Sequence, residues 1–359
     1  MSLPGSFARV SRGWWLVKAS DLLVDCFLYS DQSPYRELLS LRLAVLGDVV
    51  DRFVVVASRQ TFSGRVLASV FPEDDPVVQR FRDRIELVEV ESLERVTPRR
   101  REEVTRNAIC RGLHHLPDDA LVMVSDIDEL PRPEVLVSLL DGPTPRWRRV
   151  LALDYFNFKF NYRLVQGVQQ AWAGPVIAPL SLLGVPQEAR QSRWSLMHDP
   201  DRVVLNAGWH FSFLTETDDV RPKLDTMFVA GEVEWRGFRD GIRSDWQGSV
   251  SQLIEARRGF HDHMYAGSVW AHVNLGELRC EVVERAVLDF PGLLLPPPAD
   301  LPEEVELRRT LAMWRMYDGE VPKILHHATF RQLASELAAR GSMLARRTFR
   351  RISSRGLQG

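Results

Sequence analysis

Three short apolar runs, set apart by segments of a different periodicity, restrict this chain more than any other feature. "DLLVDCFLY" (Asp21 to Tyr29), "DRFVVVAS" (Asp51 to Ser58) and "ALVMVSD" (Ala120 to Asp126) have the length and the apolar content of strands buried in a sheet. Between the first two, "SPYRELLSLRLAVLGDVV" carries Leu38, Leu39, Leu41, Leu43, Val45 and Leu46, with Ser33-Pro34 at the expected helix start. "RIELVEVES" (Arg84 to Ser92) reads as another strand. "REEVTRNAICRGLHHL" (Arg101 to Leu116) has helical spacing at Val104, Ala108, Ile109 and Leu113, and "RPEVLVSLL" predicts a helix with Pro133 in its first turn. Strand, helix, strand, strand, helix, strand, helix is the order of an α/β domain with a mostly parallel central sheet. Ligands of such sheets bind beyond the carboxyl ends of the strands.

The rest of the chain divides by composition. Residues 1–20 read as a polar leader and residues 21–290 as the folded unit, with a ligand-binding half at 21–140 and a second half at 150–290. Aromatic strand-like runs, "VLALDYFNFKFNYRL" and "NAGWHFSFL", lie in that second half. "PGLLLPPPADLP" predicts a stiff linker over 291–302. A helical extension follows over 303–359, and from residue 331 onward it holds seven arginines and one acid, Glu336. A formal net charge of −2 over 359 residues argues against a nucleic-acid binder. No apolar run approaches the roughly 20 residues of a membrane span, and the N-terminus has no apolar core of a signal peptide. The expected location is therefore cytoplasmic. The basic tail is open to three readings: a solvated helix, a peripheral contact with an anionic inner membrane face, or a protein contact. Cys26, Cys110 and Cys280 are far apart, as free thiols are.

"VSDIDELPRPEVL" places Asp126, Asp128 and Glu129 directly after the third apolar run. Acids at that point either complement the dipole of the following helix, worth about 0.3–1 kcal/mol per charge, or hold a divalent cation. Mg²⁺ and Mn²⁺ take oxygen ligands, commonly one or two carboxylates plus substrate phosphates. The cation would turn the repulsion between carboxylates and a diphosphate into binding. A second pair with the same spacing, Asp199 and Asp201 in "DPD", follows no apolar run and reads as loop chemistry.

"SDIDELPRPEVL" resembles the signature of glycosyltransferase family 17, the β-1,4-mannosyl-glycoprotein N-acetylglucosaminyltransferase family. "VDCFLY" followed by "LLSLRL", "DVVDRFVVVAS" and "TFSG", then "RNAICRGL", "YFNFKFNY", "GWHFS" and "RDGI" are similar to family blocks in the same order, from about Asp21 to about Pro291. The resemblance implies a GT-A-like fold with a nucleotide-sugar-binding half (21–140) and an acceptor-binding half (150–290), a UDP-N-acetylglucosamine donor, Mn²⁺ (or Mg²⁺) and inversion at the anomeric carbon. Asp126 and Asp128 would be the DxD pair, with Asp128 on the metal and Asp126 reaching the ribose or a metal-bound water. His210 of "GWHFS" is the candidate third ligand. Ala57 stands where the family commonly has Glu, Ala230 where it often has His, and "YRELLSLRL" keeps Arg42 while losing two acids.

Other residues carry weaker expectations. An inverting transfer needs a general base for the acceptor hydroxyl; Glu232 is favoured among Glu129, Asp154, Glu216, Asp218, Asp219 and Glu232. Ser58, Arg106, Asn107, Arg132 and Lys223 are expected along the donor. Arg106 can equally bridge to an acid and fix its helix. The expected acceptor is a glycan or lipid-linked glycan hydroxyl. Ala57 and Ala230 also allow a non-catalytic nucleotide-sugar or glycan-binding protein, and DxD carboxylates would equally suit a phosphoryl- or nucleotidyl-transferase, though the chain shows no GxxxxGK[ST] loop.

Overall fold

A computed structural model of the chain describes residues 22–211 and 269–294, apart from 32–34, 63, 91–92, 94–95, 157–161, 166–171, 273 and 292–293. The expected strands form β1 (Leu23–Tyr29), β2 (Arg52–Ser58), β3 (Ile85–Val90) and β4 (Leu121–Asp126), and β5 (Glu129–Pro131) follows after two residues. The second half supplies β6 (Arg149–Phe156), β7 (Tyr162–Val165), β8 (Trp172–Pro179), β9 (Val203–Val204), β10 (Gly208–Phe211) and β11 (Val269–His272). Helices are α1 (Tyr35–Leu46), α2 (Pro76–Arg80), α3 (Pro98–Asn107), α4 (Ile109–Leu113), α5 (Pro133–Asp141), α6 (Leu180–Leu183), α7 (Pro186–Gln191), α8 (Arg193–Leu196) and α9 (Glu281–Ala286). The expected single helix over Arg101 to Leu116 is two, parted at Ala108. The linker, the basic extension and the leader lie outside the described residues, Pro291 and Leu294 excepted.

The sheet runs β11-β7-β6-β8-β4-β1-β2-β3. β3, β2, β1 and β4 are mutually parallel, while β8 is antiparallel to both β4 and β6. Strand alternation decides which side chain meets which layer. Leu23, Phe27 and Tyr29 of β1 join the core under α1, α2, α5 and α9. Val24 and Cys26 join the opposite core, under α4 and α6 to α8. The crossover through α1 therefore lies on one face and the crossover through α3 and α4 on the other. Winding reverses between β1 and β4, which opens a crevice at their carboxyl ends. Asp126 to Asp128 leave β4 into that crevice.

β8, wedged between β4 and β6, has no counterpart among the expected elements. Gly174 and Pro175 interrupt its sequence. Proline within a sheet is confined to edges and bulges, and here the ladder with β6 shifts register between Val150 and Ala152, opposite this dipeptide. Pairing with β4 stops at Val176. The bulge lets a proline-containing run serve as an interior strand.

β10 is antiparallel to β5 and parallel to β6, with Gly208 opposite Pro131 and His210 opposite Glu129. Gly208 sits at φ +148°, and a Cβ there would lie 2.2 Å from the Leu130 carbonyl oxygen and 2.7 Å from the Pro131 Cα. That approach admits glycine alone. Gly208→Ala is expected to cost about 1–3 kcal/mol through backbone strain and overpacking, read as a lower urea midpoint at unchanged slope.

Candidate active site

A buried arginine organises the turn after β4. Arg42 of α1 is 1% exposed. Its Nε and Nη2 donate to the two carboxylate oxygens of Asp25 in β1 at 2.7 and 2.8 Å. Nη2 also reaches the Ser125 hydroxyl at 2.6 Å, and Nη1 donates to the carbonyls of Asp126, Ile127 and Glu129. One guanidinium thus neutralises a buried carboxylate and satisfies three of the four carbonyls of the Asp-Ile-Asp-Glu turn. The planar five-donor fork of arginine suits this arrangement, and lysine does not.

A second layer holds two of the three acids. Asp126 accepts from Arg106 Nη1 at 2.8 Å and from Arg190 Nη2 at 2.7 Å, one on each oxygen. Arg106 continues to Glu102 at 2.7 Å and to Gln187 at 2.8 Å. Glu129 is fully buried. It accepts from Arg190, from Trp172 Nε1 at 2.7 Å and from the Asp126 backbone N–H at 3.2 Å. Arg190 Nη1 also takes the carbonyl of Gly174 in the β8 bulge at 2.5 Å. Burial alone would raise the Asp126 carboxyl, but Arg106, Arg190 and Arg193 reverse this and hold it well below the usual carboxylate range.

Asp128 and His210 face each other. Asp128 Oδ1 lies 3.8 Å from His210 Nε2, and both side chains are largely buried. The Phe211 N–H donates to the Asp128 carbonyl at 2.7 Å, which ties β10 to the turn. Trp172 stacks on His210, centroids 4.1 Å apart at 16°. Among the described residues no group of three or more His, Cys, Asp and Glu is arranged to hold a metal. A carboxylate and an imidazole this close nevertheless fit Mn²⁺, or less typically Mg²⁺, where substrate phosphates complete the coordination. The helix-dipole reading of the acids fails on geometry: the residue capping α5 is Arg132, and the acids belong to the turn and to β5.

The remaining expected residues lie as follows. Arg132 stacks over Trp209 at 4.2 Å and donates to the carbonyls of Leu278 and Arg279, fastening the segment before α9. The Asn107 side-chain oxygen accepts from the Gln187 N–H at 3.0 Å. The Ser58 hydroxyl accepts from the Gln60 N–H at 3.1 Å. Glu232 and Lys223 lie outside the described residues. Arg190 and Arg193 were not expected. They come from short helices after β8, and neither spacing nor neighbours mark them. In the second DxD copy, Asp199 accepts from the Asp201 N–H and pairs with exposed Arg202, which is loop chemistry as expected.

A sequence model of glycosyltransferase family 17 matches residues 8–235, more than half of the chain, and the chain belongs to that family. It is a glycosyltransferase with a GT-A-like fold. Comparison with curated proteins finds no match. Among solved structures, a 4-diphosphocytidyl-2C-methyl-D-erythritol synthase is similar at TM-score 0.34 and 15% identity, over 57% of this chain and 99% of that one. The galactosyltransferase LgtC in complex with donor and acceptor sugar analogs is similar at 0.30 and 14%, over 63% and 99%. S. aureus TarS 1-349 in complex with UDP-GlcNAc is similar at 0.30 and 14%, over 82% and 86%.

Two outcomes follow from the buried charges. Arg42→Met strands the Asp25 carboxylate in the core and is expected to cost about 3–5 kcal/mol in urea unfolding. Asp126 has a folded pKa below its unfolded value, so its contribution is complete above about pH 3.9 and is lost as pH falls through the folded value. Asp126→Asn should therefore be less stable than wild type at pH 7, with the gap narrowing below about pH 4 in unfolding midpoints measured across pH.

Proposed function

We propose that the enzyme transfers N-acetylglucosamine from a UDP-sugar to a hydroxyl of a glycan or lipid-linked glycan, with inversion and with a divalent cation. The observation that carries this reading is the Asp128–His210 pair, 3.8 Å apart at the carboxyl end of β4. These two residues would hold Mn²⁺ (or Mg²⁺), which when bound supplies positive charge to the donor diphosphate.

The protein's own groups have separable tasks in this reading. Arg42, Arg106 and Arg190 fix the turn so that Asp128 is presented without rearrangement, the kind of preorganisation that lowers the cost of binding. Trp172 orients both partners: its Nε1 fixes Glu129 and its face fixes the His210 ring. Glu129 holds the turn through three bonds. In this reading Glu232 would take the acceptor proton and Lys223 would offset the charge of the donor phosphates. Support for N-acetylglucosamine over other sugars comes from the family.

The test is UDP release from a panel of UDP-sugars with Mn²⁺, with Mg²⁺ and with EDTA. Release from UDP-N-acetylglucosamine is expected with Mn²⁺ and should vanish with EDTA. Asp128→Ala and His210→Ala should each lower it by on the order of 100-fold or more, with thermal unfolding close to wild type. Release undiminished by EDTA, or by both substitutions, would overturn the metal assignment.

A further inference from the structure

Three arginines converge on Asp126 and Glu129, and their hydrogen bonds are unequally filled. Arg106 is paired with Glu102 and Asp126, and Arg190 with Asp126 and Glu129. These pairs use both oxygens of Asp126. Arg193, at the start of α8, feels the same carboxylates but forms an ion pair with none of the described residues. Its one hydrogen bond among them runs from Nη1 to the Arg190 carbonyl at 3.1 Å. Its Nε, like that of Arg190, is buried with no acceptor among the described residues, but Arg193 has no carboxylate partner among them to compensate. Its flat side lies toward Trp194, 5.4 Å from that ring's centroid. Burial, and then the like charge of Arg190, pull its pKa down to about 10. A buried guanidinium with unfilled donors is costly unless an acceptor arrives.

The surroundings connect this cation to the donor crevice. Trp194, the next residue, packs edge-on against Trp172 at 5.3 Å, and Trp172 stacks on His210, which faces Asp128. Trp194 is 47% exposed, so this corner opens to solvent. Guanidinium groups bind phosphate oxygens through paired N–H donors, in a geometry that lysine cannot supply. The other two arginines of the cluster are already occupied by carboxylates.

We propose that Arg193 binds the diphosphate of the nucleotide-sugar donor, the N–H groups that meet no acceptor among the described residues taking non-bridging phosphate oxygens. This rests on the donor reading given under Proposed function. Arg193 then supplies a permanent positive charge that is independent of the cation held at Asp128 and His210. The charge of the nearby acids offsets part of the repulsion from Arg190, and the arginines already paired with those acids keep them from capturing the Arg193 guanidinium.

The test is calorimetric titration of UDP and of uridine into the full chain, with Mn²⁺ and with EDTA. Arg193→Met is expected to weaken UDP by about 10- to 100-fold, as loss of charge-assisted hydrogen bonds does, and to leave uridine unchanged. The difference should persist in EDTA, and Arg193→Lys should restore part of it. Should Arg193→Met fold poorly, Arg193→Lys against wild type gives the same comparison with the charge kept. UDP affinity unchanged in the variants, or UDP and uridine weakened equally, would overturn the proposal. Absence of UDP binding by wild type, with or without Mn²⁺, would remove the donor reading itself and this inference with it.

Discussion

The Arg42–Asp25 pair is the constraint on which the rest of the site depends. Two opposite charges taken out of water are stable only with good geometry and with their remaining donors satisfied. Arg42 meets both conditions, through two short bonds to Asp25 and further bonds to Ser125 and the carbonyls of the turn. A turn leaving a buried strand end would otherwise carry carbonyl groups with nothing to accept, which is a substantial cost in a desolvated place. The same side chain also joins α1, β1 and β4, the elements on either side of the crevice. Fold and site are therefore coupled: loosening α1 moves the turn that presents Asp128.

From that constraint follows a division of labour among three acids that look alike in sequence. Unscreened, Asp126, Asp128 and Glu129 together would repel a diphosphate. Arginines from elsewhere in the chain neutralise the first and the last, and the central acid of the turn faces an imidazole. Burial would favour protonation of Asp126, and the surrounding guanidinium charge outweighs it. The cluster is then a rigid, nearly balanced charge lattice. That lattice sets Arg193 at one edge and the Asp128–His210 pair at the other, on a frame already fixed by its own ion pairs.

The sequence showed the sheet's first half plainly, because strands buried on both faces must be short and apolar and the helices between them amphipathic. β1 to β4, α1 and α5 fall where the pattern puts them, within a few residues, and the one helix expected over Arg101 to Leu116 forms as α3 and α4. β8 escaped because Gly174 and Pro175 argue locally against a strand, and only a bulge in the assembled sheet makes them acceptable. Arg190 and Arg193 escaped for a different reason. They sit about 60 residues beyond the acids they serve, in helices of four to six residues too short to show a period. Arg42 was visible only as a residue retained within a familiar block. Asp128 and His210 could be named from motifs, but their meeting across β5 and β10 is a property of the sheet.

That meeting depends on register. His210 stands opposite Glu129 in the antiparallel ladder, so the two side chains emerge on the same face. Trp172 occupies that face, donating to Glu129 and stacking on His210. A slip of one residue would turn His210 to the other face and leave both of Trp172's contacts unmade. Gly208, held against the Leu130 carbonyl where no side chain fits, prevents that slip. The short "GWHF" strand thus contains its own positioning device: the glycine sets the register, and the register decides whether the histidine can reach Asp128.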